Sequence, residues 1–276
     1  MTQIEGLTMF DTERLLNEIE QEDKFKRRSI DDPKNLTTED EVLIITKGTA
    51  VLRDDSVFTS DVHATQTFQV GDAFWIAETI SKRPHQSRFS IHDPLEVIVI
   101  KGDLFRQEIN RSSFLTIEIL RNTITRIFQK ERKINAVFED RFLKQYRDEF
   151  QKCSFGKGEL IYEHGDPPKG LYFINKGSVL LATEKYATKA YLYETDFFGE
   201  RSIIASENRS TNAFAEEDTS LLLLDSSIVQ RELSSESPLV QLSVLQVLRQ
   251  LELMNKLRFS HLEGVPPIVQ DEGLDD

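Results

Sequence analysis

A chain of 276 residues, 39% hydrophobic and 29% charged, has the composition of a soluble globular protein and is long enough for two cores. Its formal charge of −13, from 34 basic and 47 acidic residues, repels nucleic-acid backbones and anionic membranes and argues against either as a partner. No apolar run approaches the ~20 residues that span a bilayer, Cys153 is the single cysteine so no internal disulfide can form, and MTQIEGLTMF lacks the basic start and apolar stretch of a signal peptide, so a reducing, cytoplasmic setting is expected.

In chain order, Thr12 to Asp23 reads as a helix. The next segment, KFKRRSI, reads as a strand, and short apolar runs punctuated by Gly, Asp, Pro and Asn follow it, the pattern of antiparallel strands in a sandwich or barrel. Asp103 to Glu149 holds no Pro or Gly and spaces its apolar residues helically, which predicts two or more helices with a break near Lys133 to Asn135. A second strand-rich stretch ends near Asp225, and Ser227 to Phe259 reads as helical. The tail from Glu263 to Asp276, EGVPPIVQDEGLDD, is acidic and interrupted by Pro and Gly, which predicts disorder.

The chain repeats itself. VLIITKGTAVL (Val42 to Leu52) matches LYFINKGSVLL (Leu171 to Leu181), VGDAFWIAE (Val70 to Glu78) matches ETDFFGERS (Glu194 to Ser202), and Glu96 to Ile109 matches Leu221 to Leu233. Two copies of one unit are expected, each a β-roll flanked by helices, over residues 1–125 and 126–262, with 263–276 as the tail.

Within the second copy, DFFGERSIIASENRSTNAFA (Asp196 to Ala215) carries the residue types of an anion site. Gly199 has no Cβ to obstruct a ligand, Glu200 can accept hydrogen bonds from a sugar hydroxyl, and Arg209 offers a planar fork that matches two phosphate oxygens. Arg201 to Ser206 reads as one helical turn whose free amides face the same anion.

The run Phe198-Gly199-Glu200, with Ser202, Ile203, Ile204, Arg209-Ser210, Ala213 and Ala215, resembles the phosphate-binding cassette of cyclic-nucleotide-binding domains. FGKGELIYEHGDPPKGLYFINKGSVLL (Phe155 to Leu181) is similar to that family's paired strands and Gly-Asp turn. The resemblance implies a mainly β fold with flanking α-helices, two tandem jelly-roll-like β-rolls, and a cyclic nucleotide as ligand, cyclic AMP before cyclic GMP, with no other cofactor and no metal. It implies contacts from Phe198, Gly199, Glu200, Arg201, Ser202, Arg209, Ser210 and Thr211, with Glu200 on the ribose 2′-hydroxyl and Arg209 on the cyclic phosphate. Gln250 and Asn255 on the last helix are candidates for reading the base.

The first copy departs from the pattern. Trp75 and Ile76 stand where Gly199 and Glu200 stand, Pro84 or His85 falls in the place of Arg209, and DDPKNLTTEDE replaces GKGELIYEHGDPPKG. Arg83 and Arg88 are the cations that would have to substitute, so a degenerate copy is expected, serving as a scaffold or partner surface or binding another ligand.

The chain is similar both to catabolite-activator-type sensors and to kinase regulatory subunits. Leu257 to Asp276 is too short for a DNA-reading helix-turn-helix, and Lys26-Arg27-Arg28-Ser29-Ile30, which resembles a kinase inhibitor segment, falls on the first strand of the repeat. His63, His85, His92, His164 and His261 show no His-x-His pair of a cupin metal site, His164 is read as exposed, and Cys153 is read as a strand residue. A non-enzymatic regulator that signals to a protein partner is expected, against a structural protein with relic cassettes or a kinase-inhibitor-like chain. On the last helix Val240, Val244, Val247, Leu251 and Met254, with Leu245 and Leu248 beside them, form more apolar surface than one face can bury, which predicts a homodimer.

Overall fold

The computed structural model describes residues 10–32, 40–54, 64–84, 88–91, 93–128, 136–183 and 189–262. The tail at 263–276, the expected break near Lys133 to Asn135, and His63, His85 and His92 lie outside them.

The N-terminal half runs α1 (Thr12–Glu20), β1 (Lys26–Ile30), β2 (Glu41–Lys47), β3 (Ala50–Asp54), β4 (Ala64–Phe68), β5 (Ala73–Phe74), α2 (Ile76–Ser81), β6 (Arg88–Ile91) and β7 (Leu95–Lys101). Three helices follow: α3 (Gly102–Asn110), α4 (Phe114–Ile127) and α5 (Ala136–Gln145). The C-terminal half begins with β8 (Phe150–Phe155), β9 (Leu160–Tyr162), β10 (Gly170–Lys176), β11 (Val179–Ala182), β12 (Lys189–Leu192) and β13 (Phe197–Phe198). It ends with α6 (Glu200–Ile204), β14 (Asn212–Ala215), β15 (Thr219–Asp225), α7 (Ser226–Ser234) and α8 (Pro238–Leu262).

The architecture is mainly β with flanking helices. One four-stranded sheet has the order β1-β7-β2-β5 and its companion β4-β3-β6; the C-terminal sheets have the orders β13-β10-β15-β8 and β12-β11-β14-β9. A register shift falls between Ile45 and Lys47 of β2 against β7, and another between Ile174 and Lys176 of β10 against β15. KRRSI forms β1, with Ser29 opposite Glu96 and Ile30 opposite Leu95 on β7.

Successive strand residues face opposite sides of a sheet, and here both sides are apolar. Leu43, Ile45, Val97 and Val99 belong to one buried cluster in the N-terminal half, as Tyr172, Ile174, Leu221 and Leu223 belong to another in the C-terminal half. The alternate residues, Val42, Ile44, Ile98 and Ile100 in one half and Leu171, Phe173, Leu222 and Leu224 in the other, all join a single cluster with the helices. The helix layer is therefore a shared core. The boundary expected between residues 125 and 126 falls inside α4, which packs on both α7 and α8.

The helical run expected from Ser227 to Phe259 is two helices. Pro238 has no N–H to continue α7, but at the first position of α8 none is needed, so the chain breaks at 235–237 and restarts. Val240, Val244, Leu245, Val247, Leu248 and Leu251 of α8 are all at most 7% exposed within the one chain, and Met254 is half-buried. α8 packs on α1, α2, α3 and α4. A second subunit is not needed to cover that stripe, because the N-terminal half supplies the second surface.

Polar contacts fix the same docking. Gln246 donates to Gly71 O at 3.2 Å and Asp72 Oδ1 at 3.1 Å, and Arg249 pairs with Asp72 at 3.3 Å. Leu245→Ala, at a fully buried site in this seam, is expected to cost about 3 kcal/mol. Chemical denaturation checks it, and a loss below about 1 kcal/mol would mean that α8 is not part of the shared core.

Candidate functional site

The cassette starts where β13 ends. Gly199 has φ 89°, in the left-handed region, and turns the chain directly into α6. A Cβ there would lie 2.4 Å from Arg209 Nη1, so glycine is required both by the backbone and by the side chain beside it.

Arg209 is 2% exposed. Its Nη1 donates to Gly199 O and its Nη2 to Gly170 O, each at 2.7 Å, while its Nε is buried and has no partner among the described residues. The guanidinium lies over Tyr162 at 4.5 Å and Tyr172 at 5.6 Å, and Tyr172 stacks on Phe198 at 5.0 Å. Its backbone is held as well, since Arg209 N–H donates to Asp166 O and Gly165 N–H to Arg209 O, both at 2.8 Å. Asn212 Oδ1 accepts from His164 N–H at 2.7 Å and ties the same turn down.

A buried charge needs compensation. Here it comes from two peptide dipoles and two aromatic faces, and no carboxylate pairs with Arg209 among the described residues. The positive charge is solvated by the protein but not neutralised, which is the electrostatic condition of an anion site.

Glu200, 6% exposed, is paired with Arg126 of α4 at 3.0 Å. Arg209 and Glu200 act on the Tyr162 hydroxyl in opposite senses, the first favouring its ionisation and the second opposing it. Thr211 hydrogen-bonds that hydroxyl, and Ser210 next to it is exposed. Phe198 and Ser202 are buried. Arg201 turns away from the cassette, with Glu207 and Glu252 each at 3.2 Å, so only its amide is left to face a ligand.

Sequence reasoning missed four participants: Tyr162, Tyr172, the carbonyl of Gly170 and Arg126. The tyrosines sit on either side of the turn Glu163 to Lys169, where their spacing was a readable signal; Arg126 reaches the site from a distant helix and left none. Gln250 and Asn255 lie on α8, which is docked against the N-terminal half.

The matching place in the N-terminal half is built differently. Trp75, 7% exposed, holds the left-handed position before α2 at φ 65°, and Ile76 is buried behind it. Arg83 is stacked on Phe128 at 3.9 Å. Among the described residues no group of three or more His, Cys, Asp and Glu is placed to hold a metal, and no helix is long and apolar enough to cross a membrane. His164 is exposed, and Cys153 is a half-buried free thiol on β8.

Burial, partly offset by Arg209, pushes Tyr162 up to about 12. A free tyrosine ionises near about 10, so the folded state holds this proton more tightly, and the resulting stability is complete below about pH 10 and lost as pH rises through 12. Tyr162→Phe is expected to flatten the fall in urea stability over that window, and an unaltered slope would show that the hydroxyl ionises as a free one.

Residues 152–236 match the family model described as the cyclic nucleotide-binding domain. No curated protein matches the chain. Among solved structures the chain is similar to cAMP-bound PfPKA-R, at 12% identity over 95% of each chain with a TM-score of 0.36. It is similar to the regulatory domain of Toxoplasma gondii PKA with cAMP, at 14% identity over 86% of this chain and 95% of that one with a TM-score of 0.33. It is also similar to the EAL enzyme Bd1971 in its cAMP-bound form, at 26% identity over 41% of this chain and 32% of that one, with a TM-score of 0.34. All three superpose loosely. The family match coincides with β8 to α7, the span that holds Gly199, Glu200 and Arg209.

Proposed function

We propose that the chain is a cytoplasmic, non-enzymatic sensor built of two tandem copies, residues 1–125 and 126–262, in which the second copy binds a cyclic nucleotide, cyclic AMP before cyclic GMP, and the first is degenerate. The observation that carries the reading is the buried guanidinium of Arg209, compensated by two carbonyls and two rings, with an Nε–H beside the Gly199 turn that has no partner among the described residues. A cyclic phosphate supplies the missing acceptor and negative charge. The amides from Phe198 to Ser202 and those of Ser210 and Thr211 complete its grip.

The mechanism is a population shift. Phosphate oxygens replace the Gly199 and Gly170 carbonyls on Arg209, and the ribose hydroxyl competes with Arg126 for Glu200. Losing the Arg126 contact loosens α4 against the cassette, leaving the hydrogen bond from Asn122 to Phe197 O, and α4 packs on α8. Arg201 carries the same displacement to α8 through Glu252. The rearranged helix layer is the surface that a partner protein reads.

A relic cassette in a structural protein is the second reading, and it draws on the same closure: Arg209 and Glu200 are both engaged by the protein itself. Thermal stabilisation separates the two, because a ligand at about 100 times its Kd adds ~2.7 kcal/mol and a relic gains nothing. In calorimetry with cyclic AMP and cyclic GMP, Arg209→Ala is expected to weaken binding roughly a hundredfold, as for a lost charge-assisted contact. Arg126→Ala is expected to strengthen it about tenfold by removing the competitor for Glu200. Undiminished affinity in the first variant, or hydrolysis of the nucleotide during the titration, would overturn the reading.

The segment Lys26 to Ile30 is paired into a sheet, which argues against a kinase-inhibitor role. The burial of α8 favours a monomer, so sedimentation at micromolar concentration is expected to give one copy with and without nucleotide; a dimer in either state would require an interface elsewhere.

A further inference from the structure

The N-terminal roll has a second polar feature, away from its altered cassette. Lys26 lies opposite Val99, Arg28 opposite Val97, and Lys101 opposite Glu41. Opposed residues in an antiparallel pair share a face, so Lys26, Arg28, Lys101 and Glu41 continue the sheet face whose Leu43, Val97 and Val99 belong to the buried cluster of that half. At its end that apolar face becomes cationic. There it borders an open cavity of about 380 Å3, lined also by Lys24 and by Leu104 of α3.

The charges do not cancel. Arg28 pairs with the buried Glu41 at 3.0 Å, and Lys24 pairs with Glu22 and Glu108. Lys26 and Lys101 are exposed and make no ion pair or hydrogen bond among the described residues. Two lysines without an ion pair among the described residues thus line one hollow, in a chain whose formal charge is −13. The overall negative field does not forbid an anion there, because at physiological salt it is screened over ~8 Å while the local cations are in contact.

We infer that this basin binds a phosphate monoester. Its phosphate is held by Lys26 and Lys101 with Arg28 behind them, and its organic part lies against Val99 and Leu104. The volume lies within the usual range of small-molecule pockets, ~300–1,000 Å3, and suits a mononucleotide or a ligand of that size. Glu41 anchors Arg28 and turns away a second negative group, which favours a compact dianion over an extended polyanion. The inference stands apart from the cyclic-nucleotide reading, since none of these residues belongs to the cassette.

The test uses the full chain in low-salt buffer, titrated calorimetrically with 5′-AMP, adenosine and inorganic phosphate. AMP is expected to bind, adenosine not, and inorganic phosphate more weakly than AMP. Lys26→Glu with Lys101→Glu, at two exposed positions, is expected to weaken AMP about tenfold or more and to leave thermal unfolding unaltered. Arg209→Ala is expected to bind AMP as the unaltered chain does. The site is overturned if AMP does not bind, if charge reversal leaves its affinity unchanged, or if Arg209→Ala alone abolishes it. Equal affinity for inorganic phosphate would overturn the monoester and its apolar contacts.

Discussion

The guanidinium of Arg209, buried to 2% exposure without a carboxylate partner among the described residues, is the group around which the C-terminal roll is arranged. Removing a full positive charge from water is costly unless strong acceptors take its place. The fold supplies them by bringing two separate backbone turns together. Gly199 must be in the left-handed region for its carbonyl to point at Nη1, and Gly170 must open β10 where its carbonyl meets Nη2. Tyr162 and Tyr172 then close the roll interior beneath the charge. A turn, a strand start, a helix start and two aromatic rings are thereby set by one side chain.

Glu200 connects that group to the rest of the molecule. It begins α6 beside the Arg209 turn, yet its partner Arg126 comes from α4. α4 lies in a helix layer whose apolar contacts reach the outer faces of both main sheets. Rigid layers of this kind transmit small displacements because packed side chains move as units, not as a fluid. Arg201 adds a second tie, to Glu252 on α8, and α8 is fastened to Asp72 through Arg249. The cassette is thus held on two sides by helices that also touch the N-terminal half.

Much of this was legible in the sequence, and the limits have physical causes. Strands could be read because alternation, apolar runs and glycine-marked turns are local. The core of the cassette could be read because Gly199, Glu200 and Arg209 lie within one short segment. Arg126 could not be read, since it comes from a different helix and nothing at its own position announces a carboxylate seventy-odd residues away. The stripe on α8 shows the same limit: Val240, Val244 and Leu251 say that the helix is covered, and composition cannot say by what. The cover came from the same chain. The break before Pro238, inside the run Ser227 to Phe259, went unread for a different reason, because proline ends one helix and starts another with the same missing N–H.

The two halves treat positive charge on the roll interior in opposite ways. In the C-terminal half one cation is drawn fully inside, laid on aromatic rings and tied to backbone carbonyls, so it is unavailable until the turn around Gly199 moves. In the N-terminal half Trp75 occupies the position of that turn, and the interior beside it is filled by Phe68 and Phe74, with ring centroids 4.6 Å apart. A buried cation has no room there. The cations stand instead at the end of the same sheet face, where water reaches them and only Arg28 needs a buried partner. Binding to the enclosed charge requires rearrangement and therefore couples to the helix layer. Binding to the open charges requires none and can leave the fold as it is.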